Sequence, residues 1–156
     1  MFGYKLGGTG AAAVLVLFFA PWVLFSCGSQ PVGEYSGYAL ASGQWVGALS
    51  QSGQVNPSEN IFTMLFLVPA CAGAVAMVAG FALLKQAAFL ARFLDGLIMI
   101  VLAGVALYIT YDRMQVTEKK LVGSMIIAQW QYGLYSTLIG LACMLIGGIL
   151  ALMQEE

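Results

Sequence analysis

The chain has 156 residues, of which 61% are hydrophobic and 8% are charged, and its mean hydropathy is +0.90. Soluble domains carry about 25% charged residues, so this composition excludes a large soluble catalytic domain and indicates an integral membrane protein. Six basic and seven acidic residues leave a net charge of −1, too little positive charge for binding nucleic acid. Histidine is absent, which removes the commonest haem and metal ligand and the usual general base near neutral pH.

The first apolar segment predicts a membrane-spanning helix over residues 6–26. Because Lys5 gives it a short basic start, a cleaved signal peptide is the competing interpretation. We expect the helix to be retained. Pro21 is expected to kink or end its outer part, and Trp22 suits the depth of the membrane interface.

Residues 27–60 form the predicted first outer loop. A loop of this length without structure is unusual in a compact protein. Aromatic and aliphatic residues alternate with glycines between Tyr35 and Leu49, which predicts one or two short strands over the membrane face. Tyr35, Tyr38 and Trp45 are the predicted partner contacts of this loop.

A second span is predicted over residues 61–84. Its start is marked by Asn56 as a cap, Pro57 at the first helical position, and Glu59, whose side chain can return to the cap. About 24 residues rise about 36 Å, which exceeds a hydrocarbon core of about 30 Å, so tilt or a bend at Pro69 is expected.

Two further spans are predicted over residues 93–111 and 134–153, separated by a second outer loop over residues 112–133. The segment GSMIIAQWQYG in this loop is expected to be either a helix projecting beyond the bilayer or an interfacial segment. The predicted fold class is an all-α membrane protein, a single integral membrane domain over residues 1–156. It is a four-transmembrane-helix bundle, with a small β-sheet formed by the outer loops.

The orientation follows from the charges that flank the spans. With the N-terminus in the cytoplasm, three basic residues lie on each side, namely Lys5, Lys85 and Arg92 inside and Arg113, Lys119 and Lys120 outside. Charge near the first helix usually decides such a tie, and no Lys or Arg follows that helix for a long stretch. Both termini are therefore predicted to be cytoplasmic.

Small residues at helical spacing predict where the helices approach one another, because close backbone approach drives helix association in lipid. Alternatively, these faces contact another subunit. The predicted helix-packing residues are Ala72, Ala76 and Gly80 in the second span and Ser136, Gly140, Gly147 and Ala151 in the fourth.

The isolated polar and sulfur-containing residues give no catalytic or metal-binding motif. Arg92 and Asp95 are predicted to form a charge pair at the membrane interface, with a proton or ion relay as the alternative. Cys71 and Cys143 fall inside spans, and Cys27 has no CxxC partner for thiol exchange. Lipid attachment or an intermolecular bridge at Cys27 is the alternative to a free thiol.

The first outer loop carries a resemblance to a known family. The segment YSGYALASGQW, with paired aromatics and Trp45, followed by a shorter second outer loop, resembles the claudin-like tetraspan arrangement. Claudins have a Gly-Leu-Trp followed by two cysteines in this loop, where this chain has Gly43-Gln44-Trp45 and only Cys27 nearby. PWVLFSCGSQ followed by YSGYALASG also resembles small bacterial four-helix membrane proteins. The resemblance implies an outer-loop sheet over the bundle and a bacterial cytoplasmic membrane.

These features predict a noncatalytic accessory or scaffolding subunit of a larger membrane complex. A self-associating claudin-like adhesion or barrier protein is the alternative, followed by a channel or a carrier of a lipophilic ligand. No cofactor is predicted, although the composition leaves open a bound lipid, carotenoid or quinone. The expected partners are membrane lipid and either other membrane subunits or further copies of the chain, and not nucleic acid.

Overall fold

The computed structural model describes residues 1–44, 62–84, 89–121 and 126–153, and for residues 89–92, 118–121 and 126 it describes the backbone alone. Helices dominate the described chain, and a small sheet lies at one end of the bundle. In chain order the elements are α1 (Phe2–Leu17), β1 (Pro21–Cys27), β2 (Gln30–Ser36), α2 (Gly37–Ala41), a 3₁₀ turn (Thr63–Phe66), α3 (Leu67–Leu84), α4 (Phe89–Leu121), β3 (Ile126–Trp130) and α5 (Tyr132–Met153).

Three helices in the described part are long and apolar enough to cross a membrane: Thr63–Leu84, Phe93–Thr117 and Tyr132–Met153. The prediction of a membrane protein is therefore confirmed. The predicted spans 61–84 and 134–153 agree with two of these helices to within two residues at each end. Helix α1 is also apolar but has only 16 residues, so the described residues do not confirm the predicted count of four spans.

The first helix is shorter than predicted, because it ends at Leu17 instead of residue 26. Pro21 has no backbone N–H to donate, so a helix cannot continue through it without losing a hydrogen bond. The Trp22 indole Nε1–H donates to the Leu17 carbonyl oxygen at 2.9 Å and helps satisfy the end of α1. Residues 21–27 form β1. The sequence did not reveal this strand, because a strand buried on both faces is as continuously apolar as a helix segment.

The three strands form an antiparallel sheet in the order β2-β1-β3. A small sheet is therefore present, as predicted, but its strand β1 lies in residues predicted to belong to the first span, and β2 comes before most of the segment in which strands were expected. Of that segment, residues 45–49 lie outside the described residues, as do Asn56, Pro57 and Glu59. Within the segment GSMIIAQWQYG, residues 126–130 form the strand β3 and not the projecting helix that was one of its two predicted structures.

Helix α4 continues to Leu121, ten residues beyond the predicted end of the third span. The charged residues after Tyr111 end the apolar stretch but include no helix breaker. The Thr117 hydroxyl donates to the Arg113 carbonyl oxygen one turn earlier at 2.7 Å, so this buried hydroxyl is satisfied within the helix. Residues 112–121 are therefore helix and not the predicted loop.

Pro69 lies in the first turn of α3, where a missing N–H removes no helical hydrogen bond. Tilt or a bend of this span stays a prediction. The chain enters the apolar segment through the 3₁₀ turn.

The helices α1, α5, α4 and α3 pack side by side in that order, and α3 also contacts α1. Helix α1 packs most extensively on α5 and also contacts α3, while α4 packs on α5 and α3. The start of α1 lies beside the end of α5, where a Cβ placed on Gly3 would lie 2.6 Å from the Ala151 nitrogen. At the opposite end Gly133 of α5 contacts the Pro21 backbone of β1. The two described chain ends therefore share one end of the bundle, and the sheet covers the other.

The β1–β2 turn gives the first testable prediction. Cys27 pairs with Gln30 across the two-residue connection Gly28-Ser29. Gly28 has a φ of 62°, and in the described part of the chain no atom lies within 4 Å of a Cβ placed on it. Gly28→Val is therefore expected to lower the free energy of unfolding by about 1–2 kcal/mol through backbone strain alone. Gly28→Asn is the matched control and is expected to cost less, because asparagine tolerates the left-handed region. Unfolding in mixed detergent micelles measures both, and equal losses would contradict this explanation.

Candidate functional site

The contact between α1 and α5 is the tightest part of the bundle, because glycines bring the two backbones together. A Cβ placed on Gly147 would lie 2.5 Å from the Gly7 nitrogen, and one placed on Gly10 would lie 2.6 Å from the Gly140 oxygen. Distances under 3.0 Å essentially never occur for real Cβ atoms. The atoms that obstruct a side chain here belong to the backbone, so a larger residue would have to push the helices apart.

Helix α5 also uses glycine on a second face, toward α4. A Cβ placed on Gly148 would lie 3.1 Å from the Gly96 oxygen, and one placed on Gly96 would lie 3.1 Å from the Gly148 oxygen. The adjacent residues Gly147 and Gly148 therefore face two different neighbours. As a result, α5 is the helix that holds α1 and α4 in place.

The predicted packing residues of the fourth span differ in how closely they contact the neighbouring helices. Gly140 and Gly147 lie in the contact with α1, Ala151 is buried beside Gly3, and Ser136 is partly buried. No packing residue was predicted in the first span, although Gly7 and Gly10 lie within its predicted bounds and only Gly3 precedes them. The spacing of Gly3, Gly7 and Gly10 is the signal that could have found them.

The packing face of helix α3 includes two of its three predicted residues, Ala72 and, in part, Ala76. Ala72 is fully buried and Ala76 is partly buried, but a Cβ placed on Gly80 would meet no atom within 4 Å. The buried residues of this helix are Val68, Cys71, Ala72, Val75 and Ala79. Gly80 therefore lies on the outer surface of the described bundle.

A cluster of aromatic residues closes the sheet end of the bundle. Trp22 is 1% exposed, and its ring meets that of Phe18 edge-on with centroids 5.6 Å apart. A Cβ placed on Gly37 would lie 2.8 Å from both rings, so this glycine lets the backbone of α2 rest on them. The Tyr38 N–H donates to the Phe18 carbonyl oxygen at 3.1 Å, which attaches α2 to the end of α1.

The three aromatic residues predicted to contact a partner have different surroundings. The Tyr35 ring covers Gly33 and lies 5.8 Å from the Phe25 ring, so it packs on the sheet. Burial raises the pKa of the Tyr35 hydroxyl above its usual value. Tyr38 is exposed on α2, and Trp45 lies outside the described residues.

The predicted charge pair is described only in part, because the Arg92 side chain is outside the description. Asp95 is partly buried near the start of α4, next to Gly96. A different pair was missed at the other end of this helix, where the Arg113 guanidinium lies 2.6 Å from the Asp112 carboxylate. The two residues are adjacent in the sequence, and adjacent residues on a helix do not normally face each other. The contact between their side chains is therefore visible only in the structure.

Asp95→Asn is expected to leave insertion into the membrane and partner binding near normal, and to change the free energy of unfolding by less than about 0.5 kcal/mol. The reason is that Asp95 lies near the start of the apolar span Phe93–Thr117, where we expect its carboxylate to lie at the membrane interface. Membrane fractionation and copurification of partner chains measure the outcome. A stably inserted variant that loses every partner would contradict the interfacial role.

Buried hydroxyls within the described helices bond to their own backbones. The Thr110 hydroxyl donates to the Ala106 oxygen at 2.8 Å, and the Thr137 hydroxyl donates to the Gly133 oxygen at 2.7 Å. Within the described ranges no three His, Cys, Asp or Glu side chains are grouped as a metal site. Cys27 is exposed at the end of β1, Cys71 is buried, and Cys143 is partly buried.

No protein-family model, curated protein or solved structure matches this chain. The candidate sites are therefore defined by geometry alone: the helix faces, the exposed sheet and the aromatic cluster.

Proposed function

We propose that this protein is a noncatalytic accessory or scaffolding subunit of a larger membrane complex. The observation that carries the proposal is the contrast between two sets of glycines. At the glycines in the contacts among α1, α4 and α5, other atoms of the chain occupy the space where a side chain would lie. Gly73 and Gly80 of α3 and Gly104 of α4 have no atom of the described residues within 4 Å of a Cβ placed on them. Outward glycines leave a flat helix surface that a helix of another subunit can approach closely.

Copurification tests this proposal directly. The protein is extracted from its own membrane in a mild detergent, and mass spectrometry identifies the chains that accompany it. The double variant Gly73→Leu/Gly80→Leu is expected to lose these chains, because the new side chains fill the flat surface. Met77→Leu is the matched control, since Met77 is exposed on the same face and the change conserves its volume. A wild-type protein that purifies as a lone monomer would contradict the proposal.

In this proposal α1 crosses the membrane as a fourth span. Its 16 residues rise about 24 Å, somewhat less than a hydrocarbon core of about 30 Å. Its packing along α5 supports the crossing, as does the apolar turn Phe18-Phe19 that follows it. We place both termini in the cytoplasm of a bacterial cell and the sheet outside the cytoplasmic membrane. The absence of basic residues just after the first helix supports this orientation.

A self-associating, claudin-like adhesion or barrier protein is the second candidate. The sheet favours it, because segments that follow the first helix and precede the last one pair over one end of the bundle. The exposed Cys27 thiol at the end of β1 provides the test. A short bis-maleimide is expected to link Cys27 of apposed copies if the outer sheets associate. Monomeric product at every protein density would exclude this candidate and leave the accessory subunit.

A further inference from the structure

We propose that Phe19, Tyr38 and Phe66 form a surface that binds the headgroup region of the phospholipid bilayer, so that α2 is an interfacial helix. This surface is called the aromatic lipid surface below. The inference concerns a lipid contact and does not depend on the proposed function.

The three side chains come from separate elements but form one exposed patch. Phe19 is 66% exposed, Tyr38 is 42% exposed, and Phe66 is 41% exposed. The Phe19 and Tyr38 rings stack with centroids 5.6 Å apart, and the Phe66 ring meets Tyr38 edge-on at 6.1 Å. Exposed aromatic rings in mutual contact are costly to leave in water, so an apolar neighbour is expected.

The position of the patch identifies that neighbour as lipid. Phe19 follows the end of α1 by two residues, and Phe66 immediately precedes α3 within an apolar segment long enough to cross a membrane. The exposed side chains of Val16 and Leu67 continue the apolar surface along α1 and α3. The aromatic lipid surface is therefore continuous with the sides of the helices that acyl chains cover.

The chemistry of the patch also fits the membrane interface. A tyrosine has an apolar ring for the acyl chains and a hydroxyl that can bond to water or a lipid headgroup. The chain becomes polar immediately before α2, where Glu34 and Gln30 of β2 are exposed. The boundary between lipid and water is therefore expected to lie between β2 and Tyr38.

Tyr38 is fixed at this level by its backbone. Its N–H bonds to the Phe18 carbonyl oxygen, and the Ser36 hydroxyl oxygen accepts the Ala39 N–H at 3.1 Å as the cap of α2. The neighbouring Gly37 rests against the buried Trp22 ring. The ring of Tyr38 therefore cannot leave the membrane interface unless α2 detaches from α1.

The test compares positions 38 and 34 by spin labelling in phosphatidylcholine vesicles. The native thiols are removed as Cys27→Ser, Cys71→Ala and Cys143→Ala, and a nitroxide is attached to Tyr38→Cys or Glu34→Cys. Two collision rates are measured for each label, one with oxygen, which concentrates in lipid, and one with a water-soluble nickel complex. We expect the ratio of the oxygen rate to the nickel rate to be several-fold higher at position 38 than at position 34. Equal ratios would overturn the proposal. So would a label at position 38 that neither reagent reaches, because a protein would then cover the patch.

A second measurement avoids the thiol substitutions and applies whether or not the background without cysteines folds. A photoreactive benzophenone amino acid replaces Tyr38 or Glu34 in the otherwise wild-type chain in the same vesicles. Illumination is expected to give a mass increase of one phospholipid for the position 38 variant and none for the position 34 variant. Adducts to protein alone, or no adduct at position 38, would overturn the proposal.

Discussion

Gly147→Val is expected to destabilise the bundle by about 3 kcal/mol or more, the upper part of the range for overpacked cores. A Cβ at this position would lie 2.5 Å from the Gly7 nitrogen and 2.6 Å from the Gly7 Cα. Backbone atoms cannot rotate away as a flexible side chain can, so α1 must move off α5. The separation also removes dispersion contacts along the most extensive helix interface in the chain.

Gly80→Val is the matched control for this variant. It makes the same change in residue type within an apolar helix, but a Cβ placed on Gly80 meets no atom of the described residues within 4 Å. Its effect on the free energy of unfolding is expected to be small in comparison. Titration of a denaturing detergent into mixed micelles measures both variants. A Gly147→Val protein as stable as Gly80→Val would contradict the close packing of α1 on α5.

Trp22→Ala is expected to cost about 3–5 kcal/mol, as is typical of removing a large buried aromatic side chain. Trp22 is 1% exposed and supports both Phe18 and Gly37, so its loss leaves a cavity between the end of α1, β1 and α2. We expect the variant to unfold at a much lower fraction of denaturing detergent. The hairpin of β1 and β2 should also become accessible to protease in the variant.

Trp22→Phe separates the packing role from the hydrogen bond. It keeps an aromatic ring but removes the N–H that donates to Leu17. The Leu17 oxygen retains the Ala20 N–H as a second donor at 3.1 Å, so the loss is expected to be only about 1 kcal/mol. Equal losses for the alanine and phenylalanine variants would show that the hydrogen bond, and not the packed ring, secures the end of α1.

The long apolar helices could be predicted from the sequence because their signal is local. Residues 61–84 and 134–153 are unbroken apolar segments, and length with composition is enough to identify a membrane-spanning helix. The end of the first helix could not be predicted in the same way, since the residues of β1 are as apolar as a helix. The Gly28-Ser29 pair between two seven-residue segments is the local signal of a hairpin there.

The pairing of β1 with β3 has no local signal. Residues 23–27 pair with residues 126–130, about a hundred positions later, and the apolar character of both segments is equally consistent with burial in lipid. The helix contacts pose a similar problem. The spacing of small residues shows that a close approach is available, but it does not distinguish the filled glycines of α5 from the open Gly80 of α3.

Labelling thiols from each side of the membrane tests the central claim that α1 crosses the bilayer between the chain ends and the sheet. Two single-thiol proteins are compared in intact cells and inverted vesicles with a membrane-impermeant maleimide. One keeps Cys27 with Cys71→Ala and Cys143→Ala, and the other adds Phe2→Cys after Cys27→Ser. The account predicts that Cys27 reacts only from outside and position 2 only from inside. Labelling of both positions from the same side would contradict it.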